Sequence, residues 1–589
     1  MRMLKLFLML HVLSGIGLVS AQTVSGERST PNVIIIMADD MGYGDIGYHD
    51  NPFIETPELD ALAVQSAVFS NFYVSPVCAP TRASLLTGRY NIRTGVFDTY
   101  SGGAIMATEE TTIAEIFKSQ GYNTGMFGKW HLGDSYPSRP QDQGFDTSVW
   151  HLSGGIGQIG DVFNYYKYDR SYFDPMLYKN GEIFQSEGYC SDVFTNEAIK
   201  FIEQQNGQPF LAYLSFNAPH TPLQVPERYE KIYTNTKISS EYFNNRGVYS
   251  HIMSGEDIKA ARKVYAMVSN IDDNIGRLIK MLKAQNLYDN TIIIFMTDNG
   301  PEQHRYTGGF RGRKGQVREG GIHVPFFMKL PQNIQHNKVV SVAAAHIDVL
   351  PTLAGLCGIG LNKGTDLDGL DLGKFIGSEA QSLSRPLFFE WQRSFPEKYR
   401  NMAVIRDGYK LIGNVNKESG LDQFELYHLV EDPFETRDIS KENPGILKQL
   451  KDELDAWYDD IMKSPHINNL PRIIIGSDEE VRTVLNRNDA RGMQLIWDDD
   501  QMHVSWDLSI VKAGNYKVVC HFRNPVPKTG QMFIRFGIQN FTRDINEKDL
   551  QTIVFDKVFL NEGDCSLDGW FLAKDITHYT PFYIEIVQL

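Results

Sequence analysis

Four short apolar segments of this chain are each followed at once by side chains able to bind a metal or move a proton. Asn32-Val-Ile-Ile-Ile-Met37 runs into Ala38-Asp39-Asp40, and Tyr122 to Phe127 runs into Gly128-Lys129-Trp130-His131. Phe210 to Phe216 is followed by Asn217-Ala-Pro-His220, and Thr291 to Met296 by Thr297-Asp298-Asn299-Gly300. Asp39, Asp40, Asp298 and Asn299 offer hard oxygen donors, a set that suits Ca2+ or Mg2+ over zinc or copper. Lys129, His131 and His220 add cationic groups, and histidine also titrates near neutrality. Together these are the components of a divalent-metal site that also holds an oxyanion. Taken singly, Asp-Asp or Asp-Asn-Gly after a strand is a turn or a cap, and a lone lysine or histidine is a solvated or core-satisfied side chain.

These residues need a scaffold that brings four segment ends together. The apolar runs read as strands buried on both faces, with Tyr122 to Phe127 the weakest. Thr111 to Gln120 and Asp257 to Ala284 have helical spacing, the latter with Ile271, Ile275, Leu278 and Leu282 on one face. Strands separated by long crossovers predict an α/β fold, a large and mostly parallel sheet sandwiched by helices, over residues 22–375. Ligands of such sheets bind beyond the carboxyl ends of the strands. Residues 376–465 read as a small antiparallel α+β subdomain, with strands around an Asp407-Gly408 turn and a helix over 443–463. Residues 466–589 alternate apolar and polar side chains, as in Gln494 to Trp497, His503 to Leu508, Tyr516 to Cys520 and Met532 to Phe536. That pattern predicts an all-β accessory domain, a sandwich that binds carbohydrate, covers the α/β domain or closes the site's edge.

Composition narrows the function. The 589 residues include 57 basic and 72 acidic side chains, a net charge of −15. With 42% hydrophobic and 22% charged residues, global disorder and fibrous architectures are excluded. The acidic balance argues against a nucleic-acid partner, but a local basic pocket can still take an anionic substrate. The five scattered cysteines form neither a disulfide framework nor a zinc spacing, although Cys520 and Cys565 could bridge within the β region. Arg2 and Lys5 before the apolar stretch Leu6 to Val19, and small residues at Val19-Ser20-Ala21, predict a signal peptide over residues 1–21. The stretch is shorter than the ~20 apolar residues that span a bilayer, so export without an integral membrane segment is expected. The destination would be periplasmic or secreted, or lumenal or lysosomal in a eukaryote.

Cys78-Ala-Pro-Thr-Arg82-Ala-Ser-Leu-Leu-Thr-Gly-Arg89 resembles the signature of the type I sulfatases, of the alkaline phosphatase superfamily. Alone, Cys-x-Pro-x-Arg could be a buried cysteine before a Pro-led helix. The resemblance covers most of residues 30–460. It includes Pro31 to Gly44, Gly128 to Gly133, Asn217 to Pro222, Asp298 to Gly300 and Phe310 to Gly315 followed by Glu319 to Pro325. His323 stands where family members usually carry arginine. His346 to Leu353 and Phe424 to Glu435 match later segments read as structural.

The resemblance implies that Cys78 is oxidised to formylglycine by a maturation enzyme. Hydrated, this aldehyde offers one hydroxyl to attack sulfur and a second to expel the sulfate, which a serine lacks. It further implies one calcium ion, in preference to magnesium, on Asp39, Asp40, Cys78, Asp298 and Asn299. Arg82 and Lys129 would hold the hydrated aldehyde, and His131 would take the diol proton when sulfate is expelled. Lys129, His220 and Lys314 would bind sulfate, with His220 protonating the leaving oxygen. Ser153 is a loose match to a serine near the aldehyde. The insertion Gly154 to Asp174, with Asp161, Tyr165, Tyr166, Tyr168, Asp169, Arg170, Tyr172 and Phe173, is either a sugar-binding wall or a packed aromatic loop. His304, Arg305 and Arg311 could read further anionic groups. The expected activity is hydrolysis of carbohydrate sulfate esters. A phosphate mono- or diester hydrolase and a non-catalytic glycan-binding protein are the alternatives.

Overall fold

The central sheet is built on strands that have no wet face. A computed structural model describes residues 30–589 except 337, 362–365, 379–381 and 493–499. The leader expected at 1–21 and the strand expected at 494–497 lie outside the described residues. In strand β1 (Asn32–Ala38), Val33, Ile35 and Met37 enter the core on one face, and Ile34, Ile36 and Ala38 the core on the other. A strand covered twice needs no polar alternation, which accounts for its unbroken apolar run. Strands β2 (Asn123–Lys129), β3 (Thr147–His151), β4 (Phe210–Ser215) and β5 (Thr291–Thr297) lie parallel to it in the order β5-β1-β4-β2-β3. Antiparallel strands extend both edges to make ten.

Register places the site. Met37 lies opposite Ser215, Ala38 opposite Thr297 and Gly128 opposite Ser215, so β1, β2, β4 and β5 all finish at one edge. Strand β2 runs two residues past the Phe127 end expected from sequence. Gly128 makes this possible, because its φ is +122° and a Cβ there would lie 1.7 Å from the Ser215 carbonyl oxygen.

Helices cover both faces. Helix α1 (Cys78–Thr87) packs on the Val33 side, while α2 (Cys190–Glu203) and α3 (Gly255–Ala284) pack on the Ile34 side. Helix α3 starts at a Ser254/Asp257 capping box, two residues before its apolar pattern, and buries Ile271, Ile275, Leu278 and Leu282 as expected. Beyond the sheet, Leu387–Glu390, Met402–Arg406, Tyr409–Gly413 and Glu425–His428 form an antiparallel sheet in chain order. Its hairpin turn uses Asp407 and Gly408, both at positive φ. Helix α4 (Pro444–Ile461) covers it with Leu447, Leu450, Leu454, Trp457 and Ile461.

Among the described residues, the last segment forms a seven-stranded and a four-stranded sheet around a shared apolar core that includes the fully buried Trp506. Cys520 and Cys565 do not bridge. They sit in opposite sheets of this sandwich, paired with Ile584 and Leu508 respectively, and all five cysteines are free. Among the described residues, no helix is long and apolar enough to cross a membrane.

Candidate active site

Cys78 is the first residue of α1, so Pro80 falls in a first turn whose amides lack helical partners anyway. Gly88 closes the helix at φ 68° with its N–H on the Ser84 carbonyl. Cys78 and Arg82, four residues apart, share one helical face. The Arg82 guanidinium is fully buried. It donates to Asp298 Oδ2 at 2.7 Å, to the Lys129 carbonyl at 2.9 Å and to Ser215 Oγ at 2.5 Å. It thereby ties the start of α1 to the ends of β2, β4 and β5.

Three buried carboxylates meet three cations in pairs. Lys129 Nζ is 2.6 Å from Asp39 Oδ2, Lys314 Nζ is 2.7 Å from Asp40 Oδ1, and Arg82 pairs with Asp298. Asp40 adopts φ 61°, and its amide donates to Asp298 Oδ1 at 3.1 Å. Asn299 Nδ2 donates to Asp40 Oδ1 at 2.8 Å and to the Gly300 carbonyl at 2.8 Å, which leaves Oδ1 as its free acceptor. Asn299 Oδ1 and Asp39 Oδ1 are buried without a hydrogen-bond partner among the described residues, a costly arrangement that a cation would relieve. Ligand atoms of Asp39, Cys78 and Asp298 lie within 4.8 Å of one another, as do those of Asp39, Asp40 and His220. The donors fit a hard divalent ion. Burial, then Asp39, pushes Asp298 up to about 7. Burial also raises Asp39, whereas at Asp40 the burial penalty is outweighed by Lys314 and His220, and its carboxyl stays well below the usual range. Burial opposes the charge on Lys129, but Asp39 overcomes it and keeps the ammonium protonated.

The hydrogen bonds of the histidines settle their tautomers. His131 Nε2 lies 2.7 Å from the Thr99 carbonyl, which can only accept, so Nε2 carries the hydrogen and Nδ1 a lone pair. That Nδ1 is 3.4 Å from Cys78 Sγ. Burial, then Lys129, holds the His131 pKa well below 6.5, so the ring is a neutral proton acceptor aimed at residue 78. His220 Nδ1–H donates to the Thr221 carbonyl at 2.7 Å, which turns Nε2 toward Asp40 Oδ2 at 3.6 Å. Burial, then Lys314, pushes His220 down to about 4. The Cys78 thiol is pushed up, chiefly by burial, and stays protonated. It is therefore a poor nucleophile as it stands.

A cleft of about 390 Å³ opens over Cys78, His131, His220 and Lys314. The structure thus brings together every residue singled out for catalysis or metal binding. It also adds Thr99, Gln158, Glu302, Arg313, Trp391, Arg393 and Asn488 as lining. Arg313 adjoins Lys314 and Gln158 falls in the aromatic insertion, so both were within reach of sequence reasoning. Trp391, Arg393 and Asn488 carried no signal, because they come from the two C-terminal units.

Other expectations change. Arg305 does not read substrate. It is fully buried against Asp45 at 2.7 Å and donates to the Asp40 carbonyl at 2.7 Å, so it braces the turn that carries Asp40. Arg311 donates to the Glu435 carbonyl and His304 stacks on His251, both outside the cleft. The aromatic insertion is mainly a packed loop. Tyr165 lies against Phe582, Tyr166 donates to the Arg523 carbonyl, and Asp161 accepts from Gly157 N–H and Asn164. Buried Tyr172 donates to the His220 carbonyl at 2.8 Å and so supports that histidine. Ser153 stands behind Gly154 with its amide on Asp134. His323 bonds Glu319 and the Ser70 carbonyl, each at 2.9 Å, and stacks on Phe310. It packs behind the lysine loop and does not line the cleft.

Comparisons with known proteins agree with this geometry. Residues 31–359 match the family model described as Sulfatase, and residues 312–460 the one described as N-sulphoglucosamine sulphohydrolase, C-terminal. Arylsulfatase J of Mus musculus is 32% identical, over 72% of this chain and 75% of that protein. An ulvan-active sulfatase of Formosa agariphila is 31% identical, over 73% and 80%. Among solved structures, that of Ps i-CgsB in complex with k-i-k-neocarrahexaose superposes with a TM-score of 0.63 at 29% identity, over 74% of this chain and 94% of that one.

Proposed function

The chain belongs to the sulfatase family and is a sulfuric ester hydrolase, and from that premise we propose that it is an exported enzyme that removes sulfate esters from carbohydrates. The observation that carries the reading is the neutral His131 Nδ1 at 3.4 Å from a buried Cys78 Sγ, inside a ring of Arg82, Lys129 and Lys314. Those cations neutralise the oxygens around a sulfur under attack. Carbohydrate as the leaving alcohol is supported by the cleft lining. Trp391 offers an aromatic face, and Gln158 and Asn488 offer neutral amides, a combination that suits a sugar ring and its hydroxyls. The ulvan-active relative and the similar structure in complex with k-i-k-neocarrahexaose support the same reading.

Asp39, Asp40, Asp298 and Asn299, with the side chain of residue 78, would hold one calcium ion, whose charge polarises the ester and acidifies a hydroxyl. As formylglycine, residue 78 would supply a hydrated aldehyde, with one hydroxyl to attack and a second to release sulfate. The remaining work falls to the chain's own groups. Arg82 and Lys129 fix residue 78 and the carboxylates, and Lys314 reaches over the cleft to a sulfate oxygen. His131 Nδ1 takes the proton from the side chain of residue 78. His220 Nε2 is the atom that gives a proton to the leaving sugar oxygen. Its pKa is low in the open cleft, and an anion bound beside it raises it toward the protonated form.

Sulfate release from a panel of monosulfated sugars and oligosaccharides, with a phosphate ester as control, tests the reading. Turnover of a sugar sulfate is the expected result, and turnover of the phosphate ester alone would refute it. Mass spectrometry of the peptide containing residue 78 reads the modification separately.

A further inference from the structure

The C-terminal sandwich lies beyond residue 460, where the matching family models end. A link between its two sheets, residues 487–490 between strands Arg482–Asn486 and Arg491–Gly492, nevertheless enters the active-site cleft. Asn488 lines the same cleft as Cys78, His131 and His220. Its backbone is locked in place, since its carbonyl accepts from Gly102 N–H at 3.0 Å and its amide donates to Asn486 Oδ1 at 2.8 Å. Gly160 leaves room for it, as a Cβ there would sit 2.6 Å from Asn488 Cβ.

The connection is also wired to the catalytic histidine. Asn486 Nδ2 donates to Asp134 Oδ2 at 2.7 Å, and the Asp134 carboxylate accepts from Ser153 N–H at 2.9 and 3.1 Å. The next residue, Gly154, packs so tightly on His131 that a Cβ would lie 2.6 Å from the ring. Outside this path, Glu480 takes Tyr136 N–H at 3.0 Å and pairs with Arg139 at 3.3 Å. A separate carbohydrate-binding module on a tether would show none of these buried contacts.

We infer that the sandwich is a structural part of the active site, and that the Asn488 carboxamide selects the substrate by hydrogen-bonding a hydroxyl of the sugar that carries the ester. Among the described residues, the Asn488 carboxamide makes one long side-chain contact, 3.4 Å to Asp489 Oδ1. It offers both a donor and an acceptor, which matches a sugar hydroxyl better than a sulfate group. The inference rests on the carbohydrate sulfatase reading above.

The test uses the full chain with residue 78 modified, and two probes. One is 4-nitrophenyl sulfate, which has no sugar hydroxyls. The other is the monosulfated monosaccharide that the wild type cleaves best. Asn488→Ala should lower kcat/KM on the sugar sulfate about three- to tenfold, the worth of one neutral hydrogen bond. It should leave the aryl sulfate rate within about twofold, which also reports that the variant folds. Asn488→Ser, which keeps a donor and an acceptor, should recover part of the sugar activity. Equal losses on both probes in both variants, or no loss on either, would overturn the inference alone. A modified wild-type chain that cleaves the aryl sulfate but no sugar sulfate would overturn the carbohydrate reading and this inference with it.

Discussion

Replacing Cys78 by serine separates attack on sulfur from sulfate release. The hydroxyl of Cys78→Ser would stand where Sγ stands, 3.4 Å from His131 Nδ1. His131 is neutral and its other nitrogen is committed to Thr99, so it can accept the serine proton. Attack on sulfur can therefore proceed and leave sulfate esterified to the serine. In the proposed mechanism release uses a second hydroxyl on residue 78, which serine lacks, so His131 would have no proton to take in that step. A positioned base contributes on the order of 10²–10⁴ to a rate, so steady turnover should fall by at least that range. The first turnover should persist as a burst approaching one alcohol per chain. Rapid-quench kinetics with 4-nitrophenyl sulfate, and mass spectrometry for one sulfuryl group on the residue 78 peptide, check both parts. Sustained turnover by Cys78→Ser within about tenfold of wild type would refute the two-hydroxyl reasoning. Absence of both burst and adduct would refute the placement of His131 as base.

Three further predictions follow from the geometry. Arg305→Gln leaves Asp45 buried without its ion-pair partner and should cost about 3–5 kcal/mol by denaturant unfolding of the α/β unit; a variant of wild-type stability with a raised KM would restore Arg305 as a substrate reader. Calcium should raise the melting temperature, with about 2.7 kcal/mol of stabilisation at a hundredfold excess over Kd. Asp298→Asn should abolish most of that gain, and an unchanged calcium response in scanning fluorimetry would count against the metal site. At the sandwich joint, burial pushes Asp489 up to about 6 and Glu480 up to about 7, and it also raises Asp134, to which Asp489 adds. Raised carboxyl values stabilise the folded state below the unfolded value near 4, and that stability is lost as pH rises through 6–7. The Asp489 rise from 3.8 to about 6 corresponds to about 3 kcal/mol, shared with Asp134 because the two titrate as a pair. The melting temperature should therefore fall between pH 5 and pH 8, and Asp489→Asn should flatten the profile; a variant with an unflattened profile would exclude the pair as its cause.

The edge that carries the candidate site was legible before any coordinates. Strands buried on both faces must be written as unbroken apolar runs, so β1 and β5 announce themselves and the polar residues after them stand out. Parallel order then forces the ends of β1, β2, β4 and β5 to one edge, which carries Asp39, Asp40, Lys129, His131, His220, Asp298 and Asn299 together. Cys78 and Arg82 were legible for a local reason, since four residues along a helix is one turn.

What surrounds that edge depends on contacts between distant segments. Arg305 looks like a free cation in sequence, and just the fold shows Asp45 and the Asp40 carbonyl absorbing it. Tyr165 and Tyr166 read equally as a sugar wall or a packed loop until the ring of Phe582 is seen against Tyr165 and the Arg523 carbonyl on the Tyr166 hydroxyl. Trp391 and Asn488 reach the cleft from units with their own cores, and no periodicity encodes that approach. Local spacing records which face a side chain takes within its element. Which element it then meets is set by long-range packing, and that packing completes the cleft over Cys78.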